Sequence, residues 1–327
     1  MRRSPCLALV LLGLVPVPSP ADDDPALKAD YEKIEGIAHR DVGSEEEAAA
    51  ARKELREAAA GFVEKYRESA NAGEGLFRLG MARAFAGERA EGTALLRRYL
   101  DTVPSGSRRK DAFLALLALL DALERPEDGL DAIEAYASGF KEDEAVGEMV
   151  ADQRRQFTAD AKRRSLAGQP APEISITRVL GGELKSIGSL KGKVVLLDFF
   201  ATWCPPCRAT MPWLVRMQEK FGAAGLSVVG ATELYGHAWL EGRSEVNLSP
   251  DREVEIIDKF RASLNLNYPV VLTAEREGNK QYGVLGIPTL FLIDRKGVVR
   301  KYEVGAGDHA DLEREIEKCL TEKDDGK

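Results

Sequence analysis

Residues 194–214 read VVLLDFFATWCPPCRATMPWL. An apolar run of strand length leads into Cys-Pro-Pro-Cys, and an amphipathic pattern at helical spacing follows. A buried strand, a turn and a helix are therefore expected in that order, with Cys204 opening the helix. The placement has chemical meaning. A thiolate is the attacking species in sulfur chemistry, and the free amides and dipole of a helix N-terminus favour negative charge there. Pro205 and Pro206 suit a first helical turn, whose N–H groups have no intrahelical acceptor to lose. They also stiffen the ring that forms when Cys207, one turn on, reaches back to Cys204.

Metal and haem sites fit poorly. A zinc site normally takes four ligands, but no second cysteine pair exists and His39, His237 and His309 show no ligand spacing. Covalent haem attachment needs a histidine after the second cysteine, where this chain has Arg208. A structural disulfide closing so small a loop constrains little of the unfolded chain. The residues themselves leave two readings, a redox couple and a small staple.

Around this stretch the text alternates. Further short apolar runs, LSVVGAT (226–232), YPVVL (268–272) and PTLFLID (288–294), read as central strands of a sheet covered on both faces. Helical patterns separate or follow them at 208–222, 251–264 and 309–320. Strand alternating with helix predicts an α/β unit, a central sheet flanked by helices, over residues 168–327. Gly168, Pro170 and Pro172 mark its start.

Upstream, residues 22–167 are written differently. Ala, Leu, Glu and Arg dominate, and apolar positions recur at helical spacing, as in Leu76, Leu79, Gly80, Arg83 and Ala84, or Phe113, Leu116, Leu117 and Leu120. Turn formers break the pattern at NAGEG, AGERAEG, VPSGS and ERPED. An all-α domain of helical hairpins is expected. GERAEGTALLRRYL aligns with ERPEDGLDAIEAYA, placing Gly92 on Gly129, Leu95 on Ala132, Leu96 on Ile133 and Tyr99 on Tyr136. The surrounding segment resembles one tetratricopeptide unit, with Leu79–Gly80, a turn at Gly87, small Gly92 and a closing Pro104, although Arg83 stands where that motif usually has an aromatic. Stacked helix pairs offer a concave surface for protein docking. A plain bundle serving as spacer or dimer contact is the alternative.

The first 21 residues carry Arg2 and Arg3, then the apolar run CLALVLLGLV, then SPA before DDD. That layout predicts a secretory signal peptide cleaved near Ala21–Asp22, its apolar run too short to span a bilayer. A secreted or periplasmic protein without a membrane span is expected. Loss of the two arginines takes the formal net charge from −8 to about −10, which argues against nucleic acid or an anionic membrane as main partner. With 44% hydrophobic and 31% charged residues over 327, the chain has the composition of a soluble two-domain protein. Only Cys204, Cys207 and Cys319 survive cleavage, too few for a disulfide scaffold.

VVLLDFFATWCPPCRATMPWL with GVLGIPTLFLID resembles the thioredoxin superfamily, and the lead-in GQPAPEISI with GGELKSIGSLKGK is similar to its exported TlpA/ResA-like branch. The likeness covers about residues 168–322. It implies a thioredoxin-like sheet and thiol–disulfide exchange without a cofactor or metal, on protein thiol and disulfide substrates, with a membrane thiol as electron donor. Cys204 would be the exposed nucleophile and Cys207 the buried resolving thiol. Asp198 would be a buried carboxylate that moves protons to and from Cys207, and it leans towards reductive chemistry because exported relatives often carry Asn there. A strand-edge acid facing solvent is its alternative. Pro288 would be a cis-proline lying against the disulfide. Trp203, Pro205, Ile287, Pro288 and Trp239 would touch substrate.

Two departures stand out. Thr210 replaces a common Glu, and an extra loop at 233–250 carries Tyr235, His237 and Trp239, set either to select substrates at the rim or to pack on the scaffold. A peroxidase of the peroxiredoxin class would need Pro and Thr where Leu197 and Ala201 stand. A non-enzymatic, redox-regulated binding module is the other alternative. Cys319, between Ile316 and Leu320 on the last helix, is expected to be a buried core residue rather than a third redox thiol or an intermolecular bridge.

Overall fold

The computed structural model describes residues 24–322; the expected signal peptide at 1–21 and its cleavage point lie outside them. The chain forms two compact units that divide between Arg154 and Arg155.

The first unit is helical: α1 Pro25–Ala38, α2 Glu45–Tyr66, α3 Gly73–Ala86, α4 Arg89–Thr102, α5 Arg109–Ala122 and α6 Pro126–Tyr136, with α7 Glu144–Ser165 running out of it. Local chemistry sets the ends. The Asp24 carboxylate accepts from the amides of Ala26 and Leu27, and the Ser44 hydroxyl accepts from that of Glu47, so two helices start where capping residues stand. Gly87 ends α3 in the left-handed region, at φ 99°, where a side chain would be strained. Consecutive helices then pack side by side. Tyr31, Phe62, Phe77 and Tyr99 form a chain of ring contacts across α1 to α4, with centroids 5.8–6.1 Å apart. At Gly92 the helices α3 and α4 approach closely, since a Cβ there would stand 2.7 Å from the Gly80 carbonyl oxygen. Of the residues aligned in sequence, Gly92 and Gly129 are both buried, as are Leu96 and Ile133.

The second unit holds a six-stranded sheet in the order β1-β6-β3-β2-β7-β8. Its strands are β1 Ile176–Leu180, β2 Val194–Phe199, β3 Leu226–Thr232, β6 Val270–Thr273, β7 Thr289–Ile293 and β8 Val299–Val304. β2, β3 and β6 run parallel, while β1, β7 and β8 are antiparallel to their neighbours. The four expected apolar runs are the four interior strands, buried almost throughout. β8 reads VRKYEV and stays half-exposed at an edge, which is why apolarity did not single it out.

Helices α8 Pro205–Phe221, α9 Pro250–Ser263, α10 Glu277–Tyr282 and α11 Ala310–Thr321 complete the unit. Because strand side chains alternate, β2 feeds two core layers. Val194 and Leu196 enter the layer of Cys204, Cys207, Met211, Leu214, Phe260 and Ile316. Val195, Leu197 and Phe199 enter the opposite layer with Tyr282 and Phe291. The fold class is thus α/β, a thioredoxin-like sheet between helices preceded by an all-α unit.

Two sequence expectations are corrected. The division falls inside α7, not at the Gly168 break, because the last turns of α7 pack on the sheet unit: the buried Arg163 guanidinium donates to the Gly283 carbonyl and pairs with Asp160. The segment 233–250 is not a plain loop. It folds as a hairpin of β4 His237–Leu240 and β5 Arg243–Val246.

Candidate active site

β2 ends at Phe199, and Phe200 donates its amide to the Ala231 carbonyl, carrying the chain past the sheet edge before it turns. Cys204 is the N-cap of α8, where its sulfur accepts from the Cys207 amide at 3.2 Å. Pro205 and Pro206 occupy the first turn, are exposed, and leave no amide unpaired there. Cys204 and Cys207 are joined in a disulfide, with Cα atoms 5.3 Å apart.

Across the disulfide lies the turn before β7. Its Ile287–Pro288 peptide is cis, and the Ile287 carbonyl oxygen stands 3.6 Å from the Cys204 sulfur. Gly305 donates its amide to the Pro288 carbonyl at 2.8 Å, and the Thr289 hydroxyl donates to Gly286 at 2.7 Å, so the turn is held from both sides. Pro288 is buried and Ile287 half-buried. This turn corrects one expectation: Cys204 is not exposed. It is 3% accessible against 0% for Cys207, because the Ile287–Pro288 turn covers the sulfur.

Beneath the cysteines, Asp198 lies on an interior strand between β3 and β7, paired with Gly230 and Leu290. By strand alternation its side chain faces the layer that holds Cys204 and Cys207. It is 1% accessible, so the solvent-facing alternative does not apply. Neither carboxyl oxygen has a hydrogen-bond partner among the described residues. Burial disfavours the charged form and pushes its pKa up to about 8.

Trp203 is half-buried beside the disulfide. Its indole stacks on His237 at 5.0 Å between centroids and meets the Tyr235 ring edge-on at 5.3 Å. Trp239 takes a different part. The Arg208 guanidinium lies 4.0 Å above the Trp239 ring, the Trp239 amide donates to the Thr202 hydroxyl at 3.0 Å, and the indole meets Phe260 in a T-shaped contact with centroids 6.2 Å apart. The hairpin therefore brings Tyr235 and His237 to the site, while Trp239 packs on the scaffold. Thr210 is buried, donating to the Pro206 carbonyl at 3.2 Å. Cys319 is a free, buried thiol whose pKa burial pushes up to about 11.

Sequence reasoning missed Glu253. It is 2% accessible and accepts the amides of Tyr235 and Gly236, each at 2.8 Å, which fixes how the hairpin leaves β3. It also missed Tyr268, a buried tyrosine of the same layer. Neither carries a local signal, since a helix glutamate and a tyrosine before a strand are ordinary in sequence.

The Redoxin family model matches residues 166–319. The thioredoxin-like protein YneN of Bacillus subtilis is 32% identical over 152 residues, which are 46% of this chain and 78% of that protein. The chain belongs to the thioredoxin superfamily. Within it the protein is ResA-like: the thiol-disulfide oxidoreductase ResA of the same organism is 30% identical over 138 residues, 42% of this chain and 67% of that one. A solved structure, a thiol:disulfide interchange protein from Chlorobium tepidum, is 31% identical, covers 46% of this chain and 95% of its own, and has a TM-score of 0.37. The activity class of this thioredoxin-superfamily chain is thiol–disulfide oxidoreductase. The helical unit lies outside the residues that the family model matches.

Proposed function

We propose that the protein is exported and reduces disulfides of other proteins through the Cys204–Cys207 couple. The observation that carries this reading is the disulfide at the α8 N-terminus above a buried, partnerless Asp198. A strong oxidant is one whose reduced form is stabilised, as when its thiolate is favoured. Here burial alone sets the Asp198 proton affinity and, among the described residues, no cation stands beside it to stabilise a nearby thiolate, which weighs against a stabilised reduced form and for electron donation.

In the forward direction the Cys204 thiolate, favoured by the helix N-terminus, attacks one sulfur of a target disulfide. The target S–S bond breaks, one target thiolate leaves, and a mixed disulfide joins Cys204 to the target. Cys207 then gives its proton to the Asp198 carboxylate and attacks the Cys204 sulfur. The Cys204–target bond breaks and the second target thiolate leaves, taking a proton from water. The first target thiolate takes from solvent the proton that Cys204 released on ionising, and Asp198 returns the Cys207 proton to solvent, so the target has gained two electrons and two protons and the protein has lost two of each. A dithiol donor must restore them, and for an exported protein a membrane thiol partner fits. Trp203, Pro205, Ile287 and Pro288 form the surface around the sulfur that a target segment meets, with Trp239 supporting it from behind. The helical unit, which ends at Arg154, supplies as a repeat-like domain a docking surface for a protein partner.

Equilibration with dithiothreitol buffers, read by tryptophan fluorescence, tests the direction. The expected potential is below about −220 mV, on the reducing side of the known scale; a higher value overturns it. Export is tested by sequencing the N-terminus of the protein made in a cell with a secretory pathway. A start at Asp22 is expected, and an intact Met1 in the cytoplasm overturns that part.

A further inference from the structure

Tyr268 stands two residues before β6 and continues the face of Val270 and Leu272 into the layer of the cysteines. Among the described residues its hydroxyl is buried without a partner, as are both oxygens of Asp198. The two are neighbours by the register of the sheet. Gly230 is paired with Asp198 on one side and with Val270 on the other. A Cβ on Gly230 would come within 3.5 Å of the Tyr268 ring and 3.0 Å of the Phe200 ring, so the missing side chain is what lets the tyrosine lie over the strand beside Asp198. Strands are about 4.8 Å apart, which sets the scale of the gap between the two residues.

An orphaned buried hydroxyl is destabilising, and phenylalanine would fill the same space without that cost. Two orphans in one layer relieve each other when a hydrogen bond joins them, and an internal water is the usual bridge where they do not touch. We propose that Tyr268 is a positioning residue for Asp198, its hydroxyl the hydrogen-bond donor to the carboxylate, directly or through one internal water. The phenol remains a donor throughout, because burial and the Asp198 charge both hold its proton on. The groups facing Asp198 from neighbouring elements are Gly230 on β3, Leu290 on β7, Val270 and Tyr268 at β6, and Cys207 on α8; of these Tyr268 titrates in the oxidised chain and Cys207 joins it on reduction.

The inference deepens the reading of Asp198 as the proton acceptor and rests on it. In the oxidised full chain the cysteines do not titrate, so the infrared carboxylic acid band lost in Asp198→Asn reports Asp198 alone. Tyr268→Phe keeps the ring and its packing. A hydrogen bond to a charged group is worth about 1.5–3 kcal/mol, so removing the hydroxyl should move the midpoint of that band up by about one to two pH units. A midpoint that stays put or falls overturns the proposal. A second measurement is the rate at which the reduced protein consumes oxidised glutathione. Tyr268→Phe should slow it several-fold at pH 7 in the wild-type background and leave it unchanged in the Asp198→Asn background. Equal slowing in both backgrounds means a packing role and overturns the proposal. If Asp198→Asn itself leaves the rate intact, the proton-acceptor reading fails, and the infrared result still decides the hydrogen bond.

Discussion

Replacing Asp198 by Asn should stabilise the sheet unit, by an amount that grows with pH. The side chain has an ordinary pKa of 3.8 and is pushed up to about 8 in the fold by burial. The folded state therefore binds the proton more tightly than the unfolded state. Its contribution is complete below the unfolded value and is lost as pH rises from there through the folded value. At about 1.36 kcal/mol per pH unit, the penalty at pH 7 is about 4 kcal/mol. Any hydrogen bond from Tyr268 lowers the folded value and brings this figure down, so it is an upper bound. Asn matches the neutral acid in size and polarity, so its own burial cost largely cancels in the comparison and the ionisation remains. All three tryptophans, Trp203, Trp213 and Trp239, lie in the sheet unit, so their emission follows its unfolding separately from the helical unit. Unfolding in guanidinium chloride with a slope of about 4 kcal/mol/M would place the Asn midpoint about 1 M higher at pH 7. Near pH 4 the two proteins should coincide. A difference that does not change between pH 4 and pH 7, or an Asn variant less stable at pH 7, refutes the reasoning. The same variant should exchange more slowly, a trade of function for stability.

Cys207→Ser should accumulate a mixed disulfide between Cys204 and a target, visible as added mass on the intact protein, whereas Cys204→Ser should show no exchange; turnover by the latter would remove Cys204 from the chemistry. In the reduced chain, Cys204, whose thiolate the helix N-terminus favours, should attack Ellman's reagent and Cys207 should then displace the adduct, whereas Cys319, its thiol pKa pushed up to about 11, should react only after unfolding; three equally fast thiols would contradict this. Gly92→Ala should destabilise the helical unit by about 1–3 kcal/mol, because the new methyl meets the Gly80 carbonyl at 2.7 Å and backbone there has nowhere to move. A lowered thermal midpoint in circular dichroism with tryptophan emission unchanged is the expected pattern, and an unshifted midpoint would deny the close approach of α3 and α4.

Much of this protein is local, and what is local can be read from the chain. The amino-acid order by itself determined the helical text of residues 22–167, the four interior strands and the helix that Cys204 opens, because apolar period, prolines and capping residues act within a few positions of one another. It determined the cysteine pair at a helix start for the same reason. The face and depth of Asp198 were beyond it: the apolar runs before and after are buried on both sides, so no alternation marks which layer a residue enters. Tyr268 reaches Asp198 only because β3 lies between β2 and β6 and offers a glycine at the crossing. The cover over Cys204 comes from a turn 83 residues away in sequence, and the anchors of the hairpin from Thr202 and Glu253. The tertiary structure alone decided these, because burial and proton affinity depend on what distant segments bring to one point in space.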